Sequence, residues 1–331
     1  MIDNKALGAQ WAAIMYVICL LVGIIAAEPV FAGDFPSKVL TIIVPFPPGG
    51  GADVQARLIA KGLAERLEQP VIIDNRPGAG GRIGANLAAR AAPDGHTLFV
   101  GSLTTLVIEQ VLRSNVDYDP QRDFAPISLI SEEPFLLVVS SSLPVKNVAE
   151  LLAYAHSHQL TYGSFGPGSS AHLVAEMFKA EARVDILHIP FKGAVPAITD
   201  VIGGHVSMMF ANALTATPYI RSGQLRALAV TGLTRLGILP SVPTLAESAV
   251  SGIDLKLWYG LVVPAKTPPD IVAKLHKAIT ELLKGTEFKA FVQNLGADVI
   301  PSSPKEMKQR ILSDSETIRS LVSRINFHVD E

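Results

Sequence analysis

Short β-branched runs alternate with helical stretches in two separate series, and this alternation constrains the fold more than any other feature. VLTIIV (39–44) leads into VQARLIAKGLAERL (54–67), PVIIDN (70–75) into RIGANLAARAA (82–92), and HTLFVGS (96–102) follows a PDG turn. A β-α-β-α-β order implies a parallel sheet with right-handed crossovers. The second series has strands LTYGSFG (160–166), ILHIPF (186–191), HVSMMFAN (205–212) and LRALAVT (225–231). Helices 169–182, 194–204 and 216–223 separate them. Between the series, PISLIS (126–131) and FLLVVS (135–140) read as two consecutive strands divided by Pro134, followed by a helix over 145–158. LKLWYGLVVPA (255–265) is a long extended segment, and the remainder is mostly helical. The expected architecture is α/β with two lobes, 33–133 plus 262–331 and 134–261. Two extended crossings between them would form a hinge over a ligand cleft.

Residues 1–32 differ from the rest. Trp11 to Ala27 carries no charge, and Val30-Phe31-Ala32 has the small-x-Ala form that signal peptidase cuts. We expect a secretory signal ending near Ala32 and a periplasmic mature protein. Its removal takes the net charge only from -2 to -1, and it takes away Cys19, the sole cysteine. Disulfides, thiolate metal sites and cysteine nucleophiles are thereby excluded from the mature chain. Without a basic surplus, nucleic acid is not an expected partner.

In parallel sheets, ligands bind beyond the carboxyl ends of the strands, where helix N-termini offer free N–H groups and positive potential. Four strand-to-helix junctions here are rich in Gly, Ser or Pro: PFPPGGGAD (45–53), NRPGAGGRIG (75–84), SFGPGSSAH (164–172) and PFKGA (190–194). Two fall in each expected lobe, and together they read as a two-sided anion site. Asp53 reads as support for the first loop and its helix, and Ser169 and Ser170 as helix caps. Lys192 and Arg82 place cations beside helix N-termini, against the macrodipole unless an anion intervenes. His172 reads as a surface or capping histidine, and Glu132-Glu133 as a solvated pair.

Enzyme motifs are wanting. GAGGRIG (78–84) follows a strand and opens a helix, but the sixth position from Gly78 is Ile83, so the dinucleotide spacing fails. There is no P-loop, G-x-S-x-G or H-E-x-x-H, and the eight histidines are scattered. No cofactor, metal site or catalytic residue is expected. An enzyme using the GAGGRIG loop remains the alternative from another class, and a signalling receptor a third.

FPSKVLTIIVPFPPGGGADVQARLIA resembles the opening of the Bug (Bordetella uptake gene) family, the periplasmic solute receptors of tripartite tricarboxylate transporters. The resemblance continues through VIIDNRPGAGGRIGANLAARAAPDGHTLFVGS, YGSFGPGSSAHLVAEMF, HIPFKGAVPAITDVIGGHVSMMFAN, LRALAVT and WYGLVVPAKTP. It implies a two-lobed type II periplasmic-binding-protein fold that takes a small carboxylate through backbone groups and ordered water. It also implies membrane permease subunits as partners; we expect a monomer. The site residues it implies are Phe46, Gly49, Gly50 and Asp53 in the first loop and Ser102 after the third strand. In the second lobe they are Ser164, Phe165, Gly168, Ser169 and Ser170, then Lys192 and Gly193, and Asn212 ending MFAN. Ala211 stands where the family often has Asp. Loss of a carboxylate at a strand end facing the cleft points to a ligand without an amino group.

Overall fold

The computed structural model describes residues 35–329, and Lys38 onward forms one compact unit. The secretory signal expected over 1–32 lies outside the described residues. The first series folds as β1 (Leu40–Val44), α1 (Gly51–Leu67), β2 (Val71–Asn75), α2 (Arg82–Ala89) and β3 (Thr97–Ser102). Both β2 and β3 pair in parallel with β1. A π-helical turn, Thr104–Ile108, runs into α3 (Glu109–Leu112), and α4 (Pro120–Asp123) leads to β4 (Phe124–Ser140). The second series is α5 (Val148–Ala155), β5 (Leu160–Ser164), α6 (Ser170–Ala182), β6 (Ile186–Pro190), α7 (Ala194–Ile202), β7 (Met208–Asn212), α8 (Ala213–Arg221) and β8 (Leu225–Val230). The chain ends with β9 (Lys256–Pro264), α9 (Pro269–Leu283), α10 (Thr286–Gln293), β10 (Asp298–Val299) and α11 (Pro304–Arg324).

One strand joins the halves. The two strands expected at 126–131 and 135–140 are a single strand, β4, which changes partners at Pro134. From Phe124 to Pro134 it runs antiparallel to β9; from Phe135 onward it runs antiparallel to β7 on one side and β8 on the other. Proline has no N–H to give the ladder, so a change of partner there strands no donor. The resulting order is β2-β1-β3-β9-β4-β7-β5-β6, giving two wings. The chain returns to the first wing through β9, whose ladder already begins at Lys256↔Pro134. A boundary near 255 fits this ladder better than 261/262.

The strands are filled with Leu, Ile, Val and aromatic side chains because helices cover them. Leu40, Ile42, Val44, Leu98, Phe99 and Val100 are all fully buried, as are Phe135 to Val139 of β4. α11 starts at a capping box, Ser303 with Glu306, and carries Asp314 to the fully buried Trp258 of β9, whose indole N–H donates to it at 2.6 Å. The C-terminal helices α9 and α11 pack on β4, in the first wing.

Candidate functional site

The loop between β1 and α1 is built around Asp53. Its carboxylate, 2% exposed, accepts from the Gly49 N–H at 2.9 Å, from Asn75 Nδ2 at 2.9 Å and from Arg57 Nε at 2.9 Å. Burial would raise its proton affinity, yet the bonds from Arg57, Gly49 and Asn75 hold its pKa below the usual value. Asn75 also donates to the Phe46 carbonyl. Asp53 is therefore a brace for the loop. Gly49, at φ +82°, supplies the left-handed turn that brings its N–H onto this carboxylate. With Asp53 so engaged, α1 begins at Gly50 with no side-chain cap.

Three more helices begin at the same place. α7 starts at Gly193, again without a side-chain cap, and its third residue, Pro196, has no N–H. α6 is capped by Ser169, whose hydroxyl accepts from the His172 N–H. α8 starts at Asn212, but Asn212 does not cap it; the Leu214 N–H is taken at 2.6 Å by Glu133. Each helix start carries roughly half a positive charge.

These starts surround a narrow cavity with about 20 Å³ of room for solvent. Phe46, Pro47, Gly50, Gly51, Ala52, Thr104, Leu257 and Tyr259 line it from the first wing, and Phe165, Ser170, Ala194, Val195 and Asn212 from the second. Not one of these side chains is charged. The walls are otherwise apolar, with the Thr104, Ser170 and Tyr259 hydroxyls and the Asn212 amide as side-chain polar groups. The wings touch around the cavity. Thr104 Oγ1 meets Ser170 Oγ at 3.1 Å and accepts from the Ser170 N–H at 3.0 Å. The Gly51 N–H donates to Thr215 Oγ1 at 2.9 Å.

Of the residues expected at the site, Phe46, Gly50, Phe165, Ser170 and Asn212 line the cavity. Gly193 packs against Pro47 at its rim. Gly49, Asp53, Ser164, Gly168 and Ser169 shape the loops behind the wall. Ser102 does not reach the cavity: it is fully buried and bonded to Thr105, and Thr104 faces the space instead. Lys192 is exposed and lies outside the lining. Ala211 is fully buried in the ladder opposite Leu136 and does not face the cleft. Glu133 is fully buried, not solvated, and Glu132 pairs with Lys256 and Arg310. Thr104, Val195, Leu257 and Tyr259 line the cavity from outside the loops expected from the sequence.

The GAGGRIG loop packs on protein. A Cβ at Gly81 would lie 2.7 Å from Thr105 Cγ2, and one at Gly84 would meet Pro45 at 3.0 Å. At Gly80 a Cβ would lie 2.5 Å from Glu109 Oε1. Glu109, fully buried where this loop meets residues 166–168, takes Arg113 Nε at 3.1 Å and has Arg82 Nε at 3.5 Å. Arg82 thus answers an acid of its own chain. Burial lifts the Glu109 pKa to about 7 despite the two arginines.

His172 is buried, not on the surface. Its Nδ1 accepts from the Gly168 N–H at 3.1 Å, and its ring stacks on His188 at 3.8 Å. His188 Nε2 meets Ser164 Oγ at 2.6 Å. The pair underpins both ends of the 164–170 loop. Burial lowers both pKa values: to about 3 for His172, where His188 and Lys179 add repulsion, and to about 4 for His188, where Glu176 opposes the shift and Lys179 adds to it. In the unfolded chain both protonate near 6.5. Their neutral form therefore supports the fold above pH 6.5, and that support is lost as pH falls from 6.5 towards 3. Ring-selective NMR should find both neutral at pH 5; titration of either near 6.5 would contradict this packing.

The model of the tripartite tricarboxylate transporter family receptor matches residues 55–327. The chain belongs to this receptor family. It is 34% identical over 285 residues to protein BugT of Bordetella pertussis, covering 85% of this chain and 87% of that one. Among solved structures it is similar to Rpa4515 of R. palustris with adipate, at TM-score 0.86 and 33% identity over 88% of this chain and 99% of that one. It is also similar to MatC from Rhodopseudomonas palustris with bound malate, at TM-score 0.83 and 34% identity over 87% and 100%. The receptor has the two-winged α/β fold of these periplasmic binding proteins, and nothing in its cavity supports the dinucleotide-enzyme alternative.

Proposed function

We propose that this receptor captures a small carboxylate lacking an amino group in the cavity between its wings and presents it to membrane permease subunits. It does so in the periplasm as a non-catalytic monomer, after removal of its leader near Ala32. The observation that carries this reading is the convergence of helix N-termini, two of them without side-chain caps, on a cavity whose lining holds no charged side chain. Such a wall favours an anion through backbone N–H groups and helix ends. Phe46, Pro47, Phe165, Val195 and Leu257 suit a short hydrocarbon body between polar ends. The absence of an acidic side chain from the lining leaves an ammonium group without a counter-ion at the wall. Ala211, buried in the ladder opposite Leu136, plays no part in this preference. The adipate and malate bound by two relatives belong to the same chemical class.

A thermal-shift panel of mono-, di- and tricarboxylates on protein beginning at Gly33 tests the reading. An acid at 100 times its dissociation constant should add about 2.7 kcal/mol of stability. Succinate should stabilise more than aspartate. Stabilisation by a neutral solute and by no acid would overturn the anion reading, and a preference for aspartate would overturn the amine-free class.

A further inference from the structure

We propose that Glu133 is a positioning residue that sets which end of the Asn212 amide faces the cavity, so that capture of a carboxylate is coupled to uptake of one proton by Glu133. The proposal rests on the carboxylate reading of the cleft and deepens it.

Glu133 sits just before the Pro134 crossing and is fully buried. Its Oε1 accepts from Asn212 Nδ2 at 3.1 Å and its Oε2 from the Leu214 N–H at 2.6 Å. Among the described residues, no cation is one of its partners. Tyr259, across on β9, is the titratable group that senses it, and burial keeps that phenol protonated far above neutrality. Glu132 alternates to the other face of β4 and spends its charge on Lys256 and Arg310. α8 offers Glu133 its N-terminal N–H groups and no charged side chain.

The Asn212 amide lines the cavity, and Glu133 decides how it can point. When Glu133 is ionised, both of its oxygens are acceptors, so Asn212 must turn Nδ2 towards it. That leaves Oδ1 for the cavity, an acceptor that suits a hydroxyl and opposes a carboxylate. A proton on Glu133 belongs on Oε1, because Oε2 is committed to the Leu214 N–H. The O–H then donates to Asn212 Oδ1, the amide turns over, and its N–H groups face the cavity. The amide's outline is almost unchanged by the turn, so no repacking is needed. An anion brought beside a buried carboxylate with no cation also strengthens that carboxylate's hold on a proton. Burial already places the Glu133 pKa at about 7, so the proton is within reach at neutral pH.

Calorimetry with adipate, or with malate if adipate gives no heat, tests this at pH 8 in two buffers of different ionisation enthalpy. Wild type should take up about one proton per diacid, and its affinity should fall about tenfold per pH unit between the free-state pKa of Glu133 and its higher bound-state pKa. Glu133→Gln, whose amide can donate to Asn212 Oδ1 permanently, should bind with no proton uptake and a flat pH profile. Glu109→Gln, which removes the other carboxylate near neutrality, should keep the uptake. If Glu133→Gln does not fold, the ¹³C carboxyl resonance of Glu133 in wild type replaces it, and its midpoint should rise on adding diacid. Binding without proton uptake, uptake retained in Glu133→Gln, or an unmoved Glu133 midpoint overturns the proposal and leaves the carboxylate reading standing. Failure of every acid in the thermal-shift panel to bind removes that reading, and this proposal with it.

Discussion

Gly193→Ala should weaken carboxylate binding about 10- to 100-fold while the ligand-free protein melts as wild type does. Gly193 lies in the second wing at the start of α7, and its new methyl would overlap the ring of Pro47 in the first wing. The backbone there is nearly fully extended, so alanine brings no conformational strain. The Pro47 ring cannot rotate out of the way. Such overlap costs about 1–3 kcal/mol in a packed contact. Separation of the wings relieves it, so the cost falls on the form that encloses a ligand. Titration calorimetry beside a melting curve checks both halves of the result. Unchanged affinity would mean that the Pro47–Gly193 contact is not part of the liganded form.

Asp53→Ala should lose about 2–4 kcal/mol of stability and at least tenfold in affinity. The substitution removes the charged acceptor of the part-buried bonds from the Gly49 N–H and an Asn75 N–H, and a hydrogen bond to a charged group contributes about 1.5–3 kcal/mol. Arg57, 54% exposed, turns to water at little cost. The carboxylate's pKa is held below its usual 3.8, so its contribution is complete above that pH and is lost as pH falls through the lowered folded value. Denaturant melts at pH 7 and pH 3 should therefore differ less for the variant than for wild type at this position. Retained affinity in Asp53→Ala would make the loop self-supporting and the brace unnecessary.

The alternation of VLTIIV, PVIIDN and HTLFVGS with their helices made the first wing legible, because strand and helix periods depend only on local order. The glycine- and proline-rich junctions were legible for the same reason: a loop that must bare its N–H groups needs them, and PFPPGGGAD and SFGPGSSAH both contribute to the cavity wall. What failed depended on long-range pairing. Pro134 reads as a break between two strands, yet β4 passes through it by changing neighbours. Ala211 and Asn212 differ by one residue, and successive strand residues face opposite sides, so only the observed ladder decides which meets the cleft. Glu133 beside Glu132 looks solvated until β7 and β9 close over it. Thr104 sits in a π turn with no 3.6-residue period to announce it. Tyr259 had a signal: a lone hydroxyl-bearing aromatic within the apolar run LKLWYGLVVPA should reach a polar space.

If uncapped backbone at converging helix starts holds the ligand, charge at the ligand's ends must decide binding. Adipate and adipamide share a carbon skeleton and differ in charge at both ends. Calorimetry on the wild-type receptor near pH 6.5 should give saturable micromolar binding for adipate, since a few charge-assisted bonds of roughly 1.5–3 kcal/mol each support that range. Adipamide should give no measurable heat. Equal binding of the two, or binding of adipamide alone, would mean that the helix starts do not select an anion.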